Sequence, residues 1–181
     1  MIFAETALPG VFEIALEVHE DSRGFFARTF CEGEFSARSL VTHYPQCNLS
    51  RNRQQGTLRG LHLQAAPHAE VKIVRCVAGA IFDVAVDLRP GSATFRQWIG
   101  VELTAEKGNA LYIPAGCAHG FITLRPDSDV FYHMGAAYAP GAARGYRWDD
   151  PSFGIRWPIP PTVISERDRT YPDFDPAAVD G

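Results

Sequence analysis

The chain has 181 residues, of which 46% are hydrophobic and 21% charged, as in an ordinary globular protein with one core. Its net charge of −4 argues against nucleic acid or an anionic membrane as the main partner. No apolar stretch has membrane-spanning length, and residues 1–6 lack the basic and apolar segments of a secretory signal. We therefore expect a cytoplasmic protein that binds neither nucleic acid nor membrane.

The cysteines point to the same compartment. None of the four belongs to a Cys-x-x-Cys pair, so we expect reduced thiols that fill the core. They are Cys31, Cys47, Cys76 and Cys117.

Short segments of alternating apolar and polar residues follow one another along the chain. Residues 12–19 alternate cleanly, which predicts a half-buried strand, and residues 32–41 allow one short helix. Further strands are predicted at 25–30, 46–50, 56–64, 71–77, 80–88, 95–103, 110–113, 120–124 and 130–134. Strands at such regular spacing, with almost no helix, predict an all-β antiparallel jelly-roll barrel or sandwich. We expect a single domain, residues 1–181, whose proline-rich tail from Pro158 wraps the surface.

Residues 56–64 carry the most informative strand. Alternation places Arg59 and Leu61 on one face, and Gly60, His62 and Gln64 on the other. Gly60 is expected to leave room for a ligand beside His62, and a charged Arg59 in an apolar strand suggests a nearby anion. An edge strand with one polar face explains the same nine residues equally well.

Two glycine–histidine units, residues 56–62 and 116–119, resemble the paired motifs of the cupin superfamily, jelly rolls that bind small molecules and often hold a metal. A cupin metal site has two histidines two residues apart, then a carboxylate, then a histidine from the second unit. Here Gln64 stands at the second histidine position, and Glu70 is displaced from the carboxylate position. An amide is a poor ligand for a transition metal, so we expect no metal.

A narrower resemblance covers nearly the whole chain. It rests on six segments in order: Asp21-x-Arg23-Gly24-x-Phe26, Gln46-x-Asn48-x-Ser50, Gly56-Thr-Leu-Arg59-Gly-Leu-His62-x-Gln64, Asp83-Val-Ala-Val-Asp87-Leu-Arg89, Ile113-Pro-Ala-Gly-Cys-Ala-His119-Gly-Phe121 and Trp148-Asp-Asp-Pro151. Together they resemble the dTDP-4-dehydrorhamnose 3,5-epimerase family. The resemblance implies a metal-free cupin-type barrel and a homodimer in which an N-terminal strand region is exchanged. It also implies cofactor-free inversion of carbons beside the keto group of a nucleotide-linked 4-keto-6-deoxyhexose, in dTDP-rhamnose, lipopolysaccharide or antibiotic-sugar biosynthesis.

The residue types suit that reaction. A hydrogen beside a carbonyl can be removed only if a base takes it while the developing enolate is stabilised. His62 is the plausible base, because imidazole titrates near neutrality. The resemblance implies that Asp168 pairs with His62, that Lys72 stabilises the negative oxygen, and that Tyr132 is the acid on the other face.

The resemblance also implies a set of substrate-binding residues. Arg59 and His119 are expected at the diphosphate, with Arg23 and Phe26 reaching in from the partner subunit. Phe26 and Tyr138 are expected to sandwich the base, with Gln46 and Asn48 beside the base and sugar.

Three residues depart from the family pattern. Arg28 replaces a glutamate that accepts a hydrogen bond from thymine, and because arginine only donates, we hypothesise a preference for another base, as in a CDP or GDP sugar. Arg28 turned toward a carboxylate or phosphate is the other explanation. His133 stands where lysine is usual, and Glu70, where glutamine is common, places a carboxylate near Lys72. Inversion at C3, C5 or both, and ketoisomerisation, all stay open.

Simpler explanations exist for each catalytic candidate. His62 could be a hydrogen-bonded interior histidine, Lys72 a solvent-facing residue, Tyr132 a rim aromatic and Asp168 a helix cap or loop residue. For the whole protein, the alternatives are a metal-dependent cupin enzyme using His62 and His119, and a non-catalytic sugar-nucleotide binding module.

Overall fold

The computed structural model describes residues 1–178, which form mostly β-strands. The strands are β1 (Ile2–Glu5), β2 (Phe12–Ala15), β3 (Val18–Asp21), β4 (Gly24–Ala27), β5 (Gln46–Asn52), β6 (Thr57–Gln64), β7 (Lys72–Ala78), β8 (Ala80–Asp87), β9 (Trp98–Thr104), β10 (Ala110–Ile113), β11 (Cys117–Thr123), β12 (Ser128–Met134), β13 (Ala143–Gly145) and β14 (Val163–Ile164). The short helices are α1 (Glu32–Ser36), α2 (Glu166–Arg169) and 3₁₀ turns at Pro140–Ala142 and Pro176–Ala178.

Two sheets face each other and form the barrel. The first has the order β1-β2-β10-β7-β12-β5, and the second β13-β6-β11-β8-β9, with β14 parallel beside β6. Strands β3 and β4 form a separate two-stranded hairpin. From β5 to β13 the chain passes back and forth between the two sheets, except that β8 and β9 are neighbours in the second sheet, and such crossing is typical of a jelly roll. The predicted all-β, cupin-like jelly roll is confirmed, and its inner faces supply both walls of the site described below.

Three apolar clusters stabilise this arrangement. The first lies between the sheets and includes Val74, Ile81, Leu103 and Phe121. The second packs α1 and its neighbours on the outer face of the first sheet, around Phe35. The third lies on the outer face of the second sheet. There Phe174 packs against the rings of Phe153 and Tyr146, with centroid distances of 4.9 and 5.7 Å.

Several predicted strands are longer than the observed ones, and the strand predicted at 25–30 already ends at Ala27. The strand predicted at residues 12–19 splits, because β2 pairs with β1 and β10 whereas β3 leaves the sheet to pair with β4 alone. The strand predicted at 95–103 begins only at Trp98. Residues 94–97 form a turn in which Gln97 N–H donates to the Thr94 carbonyl.

The tail holds elements that the sequence did not predict. After Pro158 the chain forms β14 and then α2, and Phe174 enters the third cluster. Residues 179–181, which belong to the predicted domain and tail, lie outside the described residues. The predicted burial is correct for Cys76 and Cys117 but wrong for Cys47, which is exposed, and for Cys31, which is half-buried.

Candidate active site

A cavity of about 750 Å³ opens between the two sheets. It receives side chains from β5, β6, β7, β11 and β12, and from α2. Nine of the twelve residues expected in the site line it, namely Gln46, Asn48, Arg59, His62, Lys72, His119, Tyr132, Tyr138 and Asp168. Arg23, Phe26 and Arg28 are outside it.

His62 and Asp168, 106 residues apart, form a hydrogen-bonded pair. His62 Nε2 lies 2.7 Å from Asp168 Oδ1, and Asp168 Oδ2 accepts from the Gly60 N–H at 3.3 Å. Burial alone would raise the pKa of Asp168, but its hydrogen bond to His62 and the Gly60 N–H lower it below its usual value. Since an ionised carboxylate only accepts, His62 Nε2 carries the proton and Nδ1 holds the basic lone pair.

The second helix positions the aspartate. Ser165 caps α2 by accepting from the Asp168 N–H at 3.1 Å, which makes Asp168 a residue of the first turn. The helix follows directly on β14, and β14 pairs with β6 at Thr57 and Leu58. The strand that carries His62 therefore also fixes the segment that carries its partner.

The alternation suggested that Gly60 leaves room for a ligand, but the structure shows that it does not. A Cβ there would lie 2.5 Å from Gly120 Cα, so Gly60 allows β6 and β11 to approach closely. The pairing of β6 with β11 is irregular at this point, and Gly60 has a φ of +124°. This irregularity breaks the alternation. Arg59 lines the cavity together with His62, and the prediction that they face opposite ways is wrong.

Lys72 comes from the opposite sheet. Its Nζ donates to the His62 carbonyl oxygen at 3.0 Å and lies 3.1 Å from Glu70 Oε1. The Lys72 side chain is buried, and the solvent-facing alternative is therefore wrong. This contact joins the two sheets at the level of the histidine.

Tyr132 also lies on the sheet opposite His62. Its hydroxyl is 3.3 Å from Ser50 Oγ, and its ring packs against the inter-sheet core. Burial raises the pKa of Tyr132 well above its usual value, so the phenol keeps its proton at neutral pH. It can therefore act as a proton donor toward the cavity.

His119 belongs to a second histidine–aspartate pair. Its Nε2 lies 2.7 Å from Oδ1 of Asp83, a fully buried carboxylate on β8, and Asp83 Oδ2 has no hydrogen-bond partner within residues 1–178. Burial raises the pKa of Asp83, against the effect of His119. Sequence reasoning missed Asp83 as a site residue, although the Asp83-x-x-x-Asp87 spacing was noted, because only the register of β8 with β11 brings it beneath His119.

Polar contacts at the cavity mouth hold Arg59 and Gln46. Arg59 Nε donates to Asn52 Oδ1 at 2.8 Å. Gln46 Oε1 accepts from the Tyr138 N–H, which ties β5 to the loop after β12. Arg59 and Tyr138 are both exposed, so a ligand can reach them from solvent.

The donor groups do not fit a cupin metal site. Gln64 Oε1 accepts from the Ala139 N–H at 2.6 Å, and its Nε2 donates to the carbonyls of His68 and Ala137. Both His62 and His119 direct Nε2 to an aspartate. Within residues 1–178, no group of three or more His, Cys, Asp or Glu side chains could hold a metal ion.

The hairpin of β3 and β4 carries the residues that lie outside the cavity. Arg23 Nη2 pairs with Asp21 at 2.5 Å, and the Phe26 side chain is 75% exposed. Arg28 Nη1 lies 3.8 Å from Glu34 Oε1, which corresponds to the alternative that Arg28 turns toward a carboxylate. In the single chain, Arg23, Phe26 and Arg28 do not line the cavity.

His133, one of the departures from the family pattern, faces away from the site. Because Tyr132 points into the barrel, the next residue points out. There its ring packs between Phe30, Tyr44 and Phe131, with centroid distances of 6.1, 5.6 and 5.1 Å. Burial lowers the pKa of His133 in this aromatic cluster.

The fold and the cavity together define a cupin-like jelly roll with a small-molecule site between its sheets. The family model described as dTDP-4-dehydrorhamnose 3,5-epimerase matches residues 5–176. The chain belongs to this family, and it is an enzyme of the isomerase class. Among residues 1–178, no helix is long and apolar enough to cross a membrane.

The chain is similar to individual relatives over most of their length. The chain is 43% identical to the dTDP-4-dehydrorhamnose 3,5-epimerase of Sinorhizobium fredii, over 96% of this chain and 90% of that one. The Bacillus anthracis enzyme of the same name, crystallised with TDP and PPi, superposes with a TM-score of 0.92 at 35% identity, covering 96% and 99%. A 3'-monoepimerase from Streptomyces bikiniensis, solved with dTDP-quinovose, has a TM-score of 0.86 at 33% identity, covering 93% and 85%.

Proposed function

We propose that the protein inverts C5, C3 or both of a nucleoside-diphosphate 4-keto-6-deoxyhexose, without a cofactor, through an enolate. The observation that carries the proposal is the His62–Asp168 pair, which shares its cavity with the buried cation Lys72 and the protonated phenol Tyr132. A base, an oxyanion stabiliser and an acid are the three groups that such an inversion requires.

His62 is the base. Nδ1 takes the proton from the carbon beside the keto group, and the electrons of the broken C–H bond move into the carbonyl, giving an enolate. Asp168 holds the ring by its Nε2–H and stabilises the imidazolium that forms. General-base catalysis by such a group contributes roughly 10²- to 10⁴-fold in rate.

Lys72 and Tyr132 complete the cycle. The Lys72 ammonium donates to the enolate oxygen, an interaction that strengthens as negative charge develops. Tyr132 extends from the sheet opposite His62, so a sugar bound between the sheets has the base on one face and the phenol on the other. The phenol proton of Tyr132 is transferred to the enolate carbon and forms the new C–H bond. The His62 imidazolium then releases its proton to solvent, and the Tyr132 phenolate takes a proton from solvent.

Arg59 and His119 bind the diphosphate. Asn52 holds Arg59 by Nε, so its terminal nitrogens can donate to a phosphate, and Asp83 orients the His119 ring. Gln46 and Asn48 lie beside the base and sugar, and the Tyr138 ring packs on the base. The relatives that were crystallised with TDP or dTDP-quinovose support a dTDP-linked substrate.

The active form is a homodimer, in which the hairpin of one subunit enters the cavity of the other with Arg23 and Phe26. The exposed apolar side chains of Phe25, Phe26 and Leu49 support this assembly. The reaction takes place in the cytoplasm, where the four thiols stay reduced.

Deuterium wash-in tests the function directly. Incubation with dTDP-4-keto-6-deoxyglucose in heavy water, followed by NMR, is expected to label C5, C3 or both and to invert the labelled carbon. His62→Ala abolishes the label, whereas His43→Asn, on an exposed side chain outside the cavity, leaves it unchanged. Wild-type protein that binds the substrate without any exchange would establish the binding-module alternative instead.

The same experiment addresses the open alternatives. Label at one carbon only assigns a mono-epimerase, and migration of the keto group assigns a ketoisomerase. We expect dTDP to bind more tightly than CDP or GDP, because Arg28 lies beside the carboxylate of Glu34 and does not line the cavity where the base would bind. Tighter binding of CDP or GDP would restore the direct role of Arg28 at the base.

A further inference from the structure

Glu70 and Lys72 form an ion pair in the wall of the cavity. Glu70 Oε1 lies 3.1 Å from Lys72 Nζ, and the two side chains are only 7% and 6% exposed. Residues two apart in extended chain share a face, while Val71 between them packs with Ile73 in the second apolar cluster. Both charged side chains line the same cavity as His62.

Stability alone is a weak reason for this pair. Removing two charges from water costs about as much as their attraction returns, and apolar residues of similar size would stabilise the barrel equally well. The geometry of the ammonium suggests another role. Its Nζ donates to the His62 carbonyl oxygen and lies in ion-pair contact with Glu70, and an ammonium has three N–H groups, so a donor is left for a ligand in the cavity.

We propose that Glu70 is a positioning residue for Lys72: its carboxylate fixes the Lys72 ammonium in the cavity wall, so that a free N–H reaches the keto oxygen of the substrate. The inference rests on the proposed epimerase function and adds to it a residue that acts through Lys72. Glu70 and the His62 carbonyl oxygen both lie within about 3 Å of Lys72 Nζ, so the ammonium is already in place when negative charge develops on the substrate oxygen.

Asp83 also interacts with Lys72 through its charge, but it lies beyond ion-pair distance. The charged and titratable groups that face the cavity are Arg59 and His62 on β6, His119 on β11, Tyr132 on β12, Tyr138, Arg144, and Arg167 and Asp168 on α2, with Asp83 on β8 beneath them. Asp168 is paired with His62, and Asp83 with His119. Among the residues that the structure describes, Glu70 alone lies within ion-pair distance of Lys72.

The composition of the chain allows the environment of Lys72 to be followed without any assay. The sequence has two lysines, Lys72 and Lys107, so protein labelled with ¹³Cε-lysine gives two signals. Lys107 is exposed and serves as an internal reference. We expect the Lys72 signal to be displaced or broadened in Glu70→Ala, where the ammonium has lost the carboxylate that holds it. Glu70→Asp stays close to the wild type, and Lys107 does not move.

Turnover tests the positioning role. The Gln side chain keeps an acceptor that can hold Lys72, so kcat of Glu70→Gln stays within about threefold of wild type. Glu70→Ala removes the acceptor, and kcat falls roughly 10²-fold with little change in KM. Exposed Glu166 provides the matched control, and Glu166→Gln changes neither quantity.

The two measurements separate failure of this proposal from failure of the epimerase function. If the wild type epimerises but the Lys72 signal is alike in the wild type and Glu70→Ala, and kcat of Glu70→Ala is normal, Glu70 has no positioning role. If the wild type exchanges no deuterium, the epimerase function fails, and the positioning role fails with it whatever the lysine signal does. A displaced Lys72 signal together with a lowered kcat and an unchanged KM in Glu70→Ala supports both.

Discussion

Gly60 and Gly120 lie backbone to backbone on β6 and β11, with no space for a side chain between them. A Cβ on Gly60 would lie 2.5 Å from Gly120 Cα and 2.8 Å from the His119 carbonyl oxygen. The N–H of Gly60 donates to Asp168, and His62 follows two residues later. This close approach of two strands therefore sets the geometry of the His62–Asp168 pair.

Gly60→Ala is expected to destabilise the fold and the site together. The added methyl group clashes with backbone, and φ of +124° is strained for any L-residue, so the loss is about 2–6 kcal/mol. Urea denaturation measures it. Gly33→Ala is the control, because a Cβ there meets nothing within 4 Å in helix α1, and it should stabilise the protein slightly. Equal stability of the two variants would contradict the packing argument.

Asp168→Asn is expected to lower kcat by roughly 10²- to 10⁴-fold. An amide cannot hold His62 Nε2–H as an ionised carboxylate does, so the ring loses its orientation and the imidazolium its counter-charge. Deuterium wash-in measures the effect. The matched control is Asp173→Asn, an exposed carboxylate on the same tail that pairs with Arg147, and its activity should equal that of wild type.

Tyr132→Phe is expected to uncouple exchange from inversion. His62 still removes and returns a proton on its own face, whereas the opposite face has lost its donor. Recovered substrate should therefore gain deuterium faster than the inverted product forms. Tyr44→Phe removes a hydroxyl that donates to the Val41 carbonyl outside the cavity, and it should behave as wild type. Unchanged product stereochemistry and rate in Tyr132→Phe would remove the acid role from this tyrosine.

Asp87 is expected to contribute to the stability of the protein in a pH-dependent way. Its burial would raise its pKa, but hydrogen bonds from Arg89, Ser92 and Thr94 lower the pKa well below its usual value. A depressed pKa in the folded state stabilises the protein above the unfolded-state pKa of about 3.9, and this contribution is lost as the pH falls.

Denaturation of Asp87→Asn between pH 2 and 7 measures that contribution. The wild type should lose unfolding free energy below about pH 5 more steeply than Asp87→Asn. Thr94→Val removes one hydrogen bond to Asp87, of 2.6 Å. It should therefore reduce the dependence of the unfolding free energy on pH less than Asp87→Asn does. Parallel curves for the wild type and Asp87→Asn would show that Asp87 does not govern acid stability.

Subunit mixing tests the proposed contribution of Arg23 and Phe26 from the partner. The double variant Arg23→Ala/Phe26→Ala and the variant His62→Ala should each be nearly inactive alone. Co-expressed, half of the dimers are mixed, and each mixed dimer has one site free of both defects, so activity returns to about a quarter of wild type. No recovery in dimers shown to be mixed would mean that Arg23 and Phe26 serve their own subunit or none.

Much of the fold could be predicted from local patterns. Strands such as β8 and β10 lie within a residue of their predicted bounds, because alternation of apolar and polar residues is a local property. Strand β14 and helix α2 were not predicted. Two residues of β14 carry no periodicity, and their structure depends on pairing with β6, more than a hundred residues away. The Ser165-x-x-Asp168 spacing was the available signal, since it is a helix-capping pattern.

The amino-acid sequence by itself determined the all-β class, the shared face of His62 and Gln64, and the polar residue types that an epimerase site requires. Only the tertiary structure decided that Arg59 joins His62 in the cavity, that Asp83 lies beneath His119, and that His133 faces outward while Tyr132 faces in. The physical reason is that strand alternation is set by each residue and its neighbours in the chain. Register, irregular pairing and ion pairs are set by contacts between strands that are distant in sequence.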